Sequence, residues 1–103
     1  MIAQTLRATM TEPTIHDLAT RRRRLRFRSS HTGTRETDIL LGSYVATHGE
    51  ALPEARVTEF EQLLEANDRD ILDWITERAP VPRAYATPLM AALIDFVRNR
   101  HNG

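Results

Sequence analysis

Residues 57–75 read VTEFEQLLEANDRDILDWI, and this stretch decides the fold. Apolar residues recur three and four positions apart within it, a spacing that predicts two amphipathic helices. Between the two patterns, Asn67 or Asp68 is suited to cap the second helix. The apolar positions are Val57, Phe60, Leu63 and Leu64 in the first pattern and Ile71, Leu72, Trp74 and Ile75 in the second. The stretch is therefore expected to supply the third and fourth helices of the chain.

The sequence downstream predicts one more helix. Pro53 is placed to start the third helix, because proline is favoured at the first helical position. The run Pro80-Val81-Pro82 ends the fourth. A fifth helix is predicted after Thr87-Pro88, and we expect its apolar residues to be buried. They are Leu89, Met90, Leu93, Ile94, Phe96 and Val97.

The segment upstream predicts a second helix that opens at Thr34 and ends at Gly49, which suits a left-handed C-cap. A helical wheel gives this helix two distinct faces. One carries Leu40, Leu41, Tyr44, Val45 and His48, and the other carries Arg35, Ile39, Gly42 and Ser43. The second face is either a contact surface for a partner or a surface packed against a neighbouring helix, and the sequence leaves both interpretations open.

A first helix is predicted from a cap at Thr14 or Asp17 to about Ser29. Only Leu18 and Leu25 share a face, so this helix needs the body of the domain for stability. No stretch alternates with a period of two, which leaves no predicted strand. We therefore expect an all-α fold, a small compact five-helix bundle formed by residues 17–101 as a single domain, after a flexible N-terminal segment at residues 1–16.

Charge is strongly segregated along the chain. Six arginines fall within residues 21–28, whereas nine acidic residues lie within residues 50–77. The simplest expectation is that the first helix lies near the third and fourth, where opposite charges meet. The net charge is zero and no lysine is present. A neutral domain argues against a general polyanion binder, which is normally basic overall.

Signs of catalysis and metal binding are missing from the sequence. The chain has no cysteine, which excludes thiolate catalysis and cysteine-based metal sites. Its four histidines are scattered without metal-ligand spacing, and no nucleophile motif is present. No apolar run reaches the length of a membrane span. We expect neither an enzyme nor a metal protein, and the alternative left open is a basic-helix nucleic-acid-binding or regulatory protein-interaction module.

Three segments together resemble a known family. An arginine-rich first helix is followed by GTRETDI at residues 33–39, then by FEQLLE at 60–65 and DRDILDWI at 68–75. In this order and spacing they resemble the FAD assembly factors of succinate dehydrogenase, the SdhE or succinate dehydrogenase assembly factor 2 family. The resemblance covers roughly residues 20–100.

The resemblance implies a five-helix assembly factor that is not itself an enzyme. It implies a partner, the flavoprotein subunit of succinate dehydrogenase or fumarate reductase, on which the factor promotes covalent attachment of FAD to a histidine. It also implies that no cofactor is bound stably by this chain, which acts on the FAD of its partner. The location expected from it is the cytoplasm in a bacterium, or the mitochondrial matrix in a eukaryote.

The family signature, Arg-Gly-x-x-Glu, lies in the loop before the second helix and meets the flavoprotein. Gly33 and Glu36 match its glycine and glutamate, whereas Thr32 stands where the signature has arginine. The partner-binding residues that the resemblance implies are Gly33, Arg35, Glu36, Asp38, Ile39 and Arg28.

Overall fold

The computed structural model describes residues 13–102, and the side chains of residues 18–100 within them. This part of the chain forms five α-helices and two short 3₁₀ turns and contains no strand, so the predicted all-α, five-helix fold is confirmed. The helices are α1 (Pro13–Ser29), α2 (Arg35–His48), α3 (Glu54–Leu63), α4 (Asp68–Ile75) and α5 (Pro88–Asn102), with 3₁₀ turns at Gly49–Ala51 and Arg83–Tyr85.

The predicted flexible segment at residues 1–16 falls mostly outside the described residues and stays a prediction. Residues 13–16 belong to α1, so Thr14 and Asp17 lie inside the helix and not before it. Among the described residues, no helix is both long and apolar enough to cross a bilayer.

The core lies where α2, α3, α4 and α5 meet. Phe60 and Val57 of α3 and Leu41 of α2 are completely buried. Tyr44 of α2 packs edge-on against Phe96 of α5, with ring centroids 5.3 Å apart. Each fully buried side chain of this size stabilises the fold by about 1.5–3 kcal/mol through removal of apolar surface from water. The apolar faces predicted for these helices therefore build the core.

Two of the predicted burials need correction. Ile94 and Phe96 are only partly buried, and they pack against the edge of the core. His48, which was placed on the apolar face of α2, is exposed. Its ring lies against Tyr44, at 4.7 Å between centroids, because the helix ends there and its last turn extends beyond the core.

Helix α1 is attached to the body by one leucine and by ion pairs. Leu25 is buried, as the thin apolar stripe predicts. Arg21 forms a fork on Glu61 of α3, with Nε and Nη2 donating to the two carboxylate oxygens at 2.9 and 2.8 Å. Arg28 forms an ion pair with Glu65 at 3.4 Å, just beyond α3. The expected meeting of opposite charges is confirmed for the third helix.

The helix ends show which capping predictions hold. Asn67 caps α4, since its side-chain oxygen accepts from the N–H of Arg69 at 2.9 Å. Gly49 is not the left-handed C-cap that was predicted: its φ is −55° and it opens a 3₁₀ turn. A Cβ at Gly49 would lie 2.8 Å from Cγ1 of Val45. Glycine is therefore required at this position for space and not for a positive φ.

Helix α4 ends in a Schellman motif with an unusual residue. Glu77 has a φ of +62°, and its N–H donates to the carbonyl of Trp74 at 3.1 Å. The N–H of Arg78 donates to the carbonyl of Asp73 at 2.7 Å. Glycine usually occupies the position of Glu77, because a side chain there strains the backbone. The guanidinium of Arg98 in α5 donates two hydrogen bonds of 2.6 Å to the carboxylate of this glutamate.

Candidate partner-docking surface

The loop between α1 and α2 turns at Gly33. Its φ of +109° is one that residues with a side chain rarely adopt. A Cβ there would also approach Oδ2 of Asp68 to 3.3 Å, because the first turn of α4 lies directly behind the loop. Position 33 therefore requires glycine, both for its backbone conformation and for its close approach to α4.

Polar side chains hold this loop in place. The N–H and the hydroxyl of Thr32 both donate to Oδ1 of Asp38, each at 2.6 Å. The hydroxyl of Thr34 donates to the carboxylate of Asp68 and does not cap α2, although Thr34 occupies the N-cap position as predicted. The buried Thr37 donates to the backbone oxygen of Asp68 at 3.4 Å. These bonds fasten the loop to both α2 and α4.

Asp38 is ionised as part of this arrangement. The pKa of its carboxyl lies below the ordinary value of 3.8, first because the Thr32 hydroxyl donates to it and then because the Thr32 N–H does. The nearby His31 lowers the pKa further, whereas partial burial opposes the shift. Asp38 was predicted to bind a partner, but in the structure its Oδ1 accepts two hydrogen bonds from Thr32 in the loop.

Arg35 and Glu36 differ from these neighbours because their side chains are not used by the fold. Both are exposed, and neither makes a hydrogen bond or ion pair with any residue that the structure describes. Glu36 borders an open groove between the end of α4 and α5, on which Glu77 and Arg98 also lie. Two opposite charges thus lie without a described partner at a helix start whose backbone is held by the loop's hydrogen bonds.

Exposed apolar side chains flank the loop on both sides. Among the described residues, Phe27 and Ile39 are the only large hydrophobic residues that are exposed, at 63% and 50%. Each lies six positions from Gly33, one on α1 and one on α2. Gly42, one turn beyond Ile39, packs against Ser30, where a Cβ would lie 3.4 Å from the serine Cβ. The second face of α2 is therefore packed at Gly42 and open at Ile39.

The structure thus brings four of the predicted site residues together at the start of α2: Gly33, Arg35, Glu36 and Ile39. The fifth, Asp38, lies among them but holds the loop. Arg28 lines a groove that also touches Thr32, yet its guanidinium is directed to Glu65 and to the carbonyl of Leu64. Phe27 was not among the predicted residues, although it is the only aromatic residue in the arginine run and is exposed beside this loop.

Most of the arginine run at residues 21–28 is bound within the fold. Arg22 donates twice to the backbone oxygen of Leu52, at 2.7 and 3.2 Å. Arg26 forms an ion pair with Glu50 at 3.1 Å. Arg21 and Arg28 also form ion pairs with glutamates. Four of the six arginines in the run therefore bind an acid or a backbone oxygen elsewhere in the domain.

The two remaining arginines face outward. Arg23 is exposed and donates to the hydroxyl of Thr20 at 3.1 Å. Arg24 is exposed and makes no hydrogen bond or ion pair with a described residue. Within the described part of the run, only these two guanidinium groups are left to bind phosphates, which counts against the arginine run as a nucleic-acid site.

No metal-binding group emerges from the described side chains: no three histidine or acidic residues gather there. His16 and His101 lie outside the side chains that the structure describes. The grooves beside the loop are open to solvent, and the polar groups along them suit a protein surface better than a small-molecule pocket.

Comparison with known proteins gives the same assignment as the sequence resemblance. The family described as "Flavinator of succinate dehydrogenase" matches residues 23–97. The chain is 40% identical over 87 residues to the "FAD assembly factor SdhE" of Acetobacter pasteurianus, covering 84% of this chain and 80% of that protein.

Mitochondrial proteins from flies are similar as well. "Succinate dehydrogenase assembly factor 2-A, mitochondrial" of Drosophila erecta is 34% identical over 84 residues, which is 80% of this chain and 52% of that protein. "Succinate dehydrogenase assembly factor 2-B, mitochondrial" of Drosophila persimilis is 37% identical over 84 residues, 80% of this chain and 54% of that protein. The chain spans about half the length of these fly relatives.

Proposed function

Because the chain belongs to the family of flavinators of succinate dehydrogenase, we propose that it binds the flavoprotein subunit of that enzyme, or of fumarate reductase, and promotes covalent attachment of FAD. The observation that carries this proposal is the pair Arg35 and Glu36. Both are exposed and unpaired among the described residues, next to a glycine loop that is fixed by hydrogen bonds. The backbone beneath these charged groups is already fixed, so only their side chains have to be ordered when they form charge-assisted hydrogen bonds to a partner.

The loop supplies the close approach that such a contact requires. Gly33 is exposed on the side away from Asp68, so the backbone of a partner is able to lie against the loop there. Ile39 lies on α2, as Arg35 and Glu36 do, and adds an apolar contact, since half of the isoleucine surface is exposed. This arrangement of an apolar contact beside charged groups is typical of a protein interface.

The mechanism is one of positioning. Attachment of FAD to a histidine requires the flavin and the imidazole to be held in reactive geometry. A protein that binds one conformer of the flavoprotein more tightly than the others raises the population of that conformer. In this mechanism the chain is an assembly factor that contributes no catalytic group and binds no cofactor stably, and the FAD stays on the partner. It operates in the bacterial cytoplasm or the mitochondrial matrix, wherever its flavoprotein matures.

Thr32 modifies this contact in the present chain. The family signature places an arginine at this position, whereas the Thr32 hydroxyl is directed into the loop and donates to Asp38. The docking surface therefore presents Arg35 as its cation beside Gly33, without a second one at position 32.

Replacement of Glu36 by alanine tests the proposal. We expect Glu36→Ala to weaken binding to the flavoprotein subunit about tenfold or more, since a carboxylate at the interface leaves its partner group unpaired when removed. The measurements are copurification with the flavoprotein and in-gel flavin fluorescence of the denatured subunit. Helical circular dichroism should not change, because the Glu36 side chain makes no contact that the fold uses.

A matched control is available in Asp70→Ala. Asp70 is another exposed acid at the start of a helix, α4, and it also lacks a partner among the described residues. We expect it to leave binding and flavin attachment unchanged. Equal binding by wild type, Glu36→Ala and Asp70→Ala would contradict a role for this surface, and no binding by the wild-type chain would refute the function itself.

A further inference from the structure

The outward face of α1 carries features that the proposed docking surface does not use. Phe27 lies four positions after Arg23 and three after Arg24, so it neighbours both arginines on the outward side of the helix. His31 follows four positions after Phe27, and its ring stacks on the phenylalanine with centroids 4.0 Å apart and planes within 12°. We call these four residues, Arg23, Arg24, Phe27 and His31, the outer stripe.

The histidine of the outer stripe has a fixed orientation. Its Nδ1 lies 2.7 Å from the backbone oxygen of Phe27, so Nδ1 carries the hydrogen and donates. Nε2 is left without a partner among the described residues and faces outward. The stack and the hydrogen bond together hold an exposed aromatic surface at the end of α1, although nothing in the described fold covers it.

Charge distinguishes the outer stripe from the rest of α1. Arg21, Arg26 and Arg28 form ion pairs with glutamates of the domain itself. On the outward side, neither Arg23 nor Arg24 has an acidic partner among the described residues. The fold therefore uses its acids on one side of the helix and leaves a positively charged, partly apolar strip on the other.

We propose that the outer stripe is a second docking contact, which receives an acidic segment of the flavoprotein subunit. This inference rests on the proposed function. Carboxylates of that segment pair with Arg23 and Arg24 in the forked geometry that guanidinium groups favour. An apolar side chain beside them covers Phe27, which offers most of its ring surface to solvent.

An acidic protein segment fits the stripe better than a nucleic acid does. Binding to a phosphate backbone gains its affinity from many cations, and a domain that does this is normally basic overall. Here the net charge is zero, and only two arginines of the run lack a partner within the domain body. Phe27 is also the only aromatic residue on this helix, where single-strand binders place several.

The test compares two double charge reversals. Arg23→Glu/Arg24→Glu removes the positive charge of the stripe. Arg83→Glu/Arg100→Glu is the control, because it makes the same change of net charge at two exposed arginines on the second 3₁₀ turn and on α5. Association of each variant with the purified flavoprotein subunit of succinate dehydrogenase is followed by stopped-flow or surface-plasmon methods, at low salt and in about 0.5 M NaCl.

We expect Arg23→Glu/Arg24→Glu to slow association about tenfold at low salt, because charges at the rim of an interface act mainly on the association rate. The difference should largely disappear in high salt, which screens exposed charges. The control pair should stay within about twofold of wild type. Phe27→Ala should weaken binding at both salt concentrations, since an apolar contact is not screened.

The outcomes separate this inference from the proposed function. If wild type binds and both charge reversals associate at the same rate, the outer stripe is not a docking contact, whereas the proposed function stands. If the wild-type chain does not bind the flavoprotein at all, both fall. If wild type retains duplex DNA, Arg23→Glu/Arg24→Glu releases it, and flavoprotein association is unchanged, the stripe is a nucleic-acid contact and the proposal is overturned.

Discussion

The loop before α2 depends on one threonine side chain. The hydroxyl and the N–H of Thr32 both donate hydrogen bonds to the Asp38 carboxylate, and the two bonds stabilise its ionised form. The lowered pKa of Asp38 is a consequence of that geometry. A group whose pKa is lower in the folded state stabilises the fold above its unfolded pKa, and this contribution is lost as the pH falls through the folded pKa.

Replacement of Thr32 by valine makes this relation measurable. Thr32→Val removes the hydroxyl and keeps the N–H, so we expect the pKa of Asp38 to rise toward the ordinary value of 3.8. The variant should therefore be less stable than wild type at pH 7, and the difference should shrink as the pH falls below about 4. Carbon-13 NMR titration of the Asp38 carboxyl and urea unfolding at several pH values measure the two effects.

Thr47→Val is the matched control for this experiment. The Thr47 hydroxyl donates to the backbone oxygen of Ser43 at 3.0 Å, and no carboxylate is involved. Its substitution should leave the Asp38 pKa in place. An Asp38 pKa that is the same in Thr32→Val and in wild type would show that the hydroxyl does not set the charge state of the loop.

Individual residues show where sequence interpretation ends. Gly33 was identified because its pattern with Glu36 is visible in the sequence, and the structure shows the positive φ that requires glycine. The closure of Thr32 on Asp38 has no such signal, since it depends on how the loop folds back over six positions. Glu77 gives no signal either, because a glutamate at the end of a helix does not indicate a left-handed backbone.

Helix α4 is the element that relies most on its ends. It has eight residues and carries the buried Trp74, which stacks on Tyr85 with centroids 4.9 Å apart. Isolated helices of this length are not stable in water, so capping and packing both have to support it. The cap is the Asn67 side chain on the N–H of Arg69.

Removal of that cap should have a measurable cost. We expect Asn67→Ala to lower the free energy of unfolding by about 1 kcal/mol, whereas Asn67→Asp and Asn67→Ser should retain most of the stability, because their side-chain oxygens also cap. Urea unfolding followed by Trp74 fluorescence measures the difference. Identical midpoints for the alanine and serine variants would mean that the cap contributes nothing.

For the helices, the sequence predicted which faces are buried better than it predicted how each helix ends. The apolar positions of α3 and α4 were predicted correctly except for Leu64, which follows the end of α3 and is only partly buried. The agreement arises because the period of a helix fixes which side chains meet the core. Gly49 was misinterpreted because glycine serves two purposes, a positive φ and a close approach, that look alike in a sequence. Only the contact with Val45 distinguishes them.

At the scale of the whole molecule, helix α1 is attached to the rest of the domain largely by ion pairs. Among the described side chains of this helix, Leu25 is the one apolar side chain that is completely buried, with Leu18 partly buried beside it. Arg21 is only 15% exposed and bridges to Glu61 and Glu54 of α3. The segregation of charge along the chain predicted this contact, whereas it did not predict which arginines make it.

Two alanine substitutions distinguish inward from outward arginines. We expect Arg21→Ala to lower the free energy of unfolding by about 1–3 kcal/mol, because it leaves the partly buried carboxylate of Glu61 without its donors. Arg24→Ala should change it by less than about 0.5 kcal/mol, as is usual for an exposed side chain without contacts. Chemical denaturation measures both, and equal losses would show that α1 is not anchored through Arg21.

The absence of lysine from the chain takes on a meaning at α1. At Arg21, one planar group reaches both oxygens of Glu61, a third nitrogen reaches Glu54, and Thr58 is bonded as well. A single ammonium on a flexible stem does not make that set of bonds. At Arg24 none of the described residues makes such a demand, and the side chain is exposed. The described fold therefore requires a guanidinium group at Arg21 but not at Arg24, although both residues belong to one run of arginines.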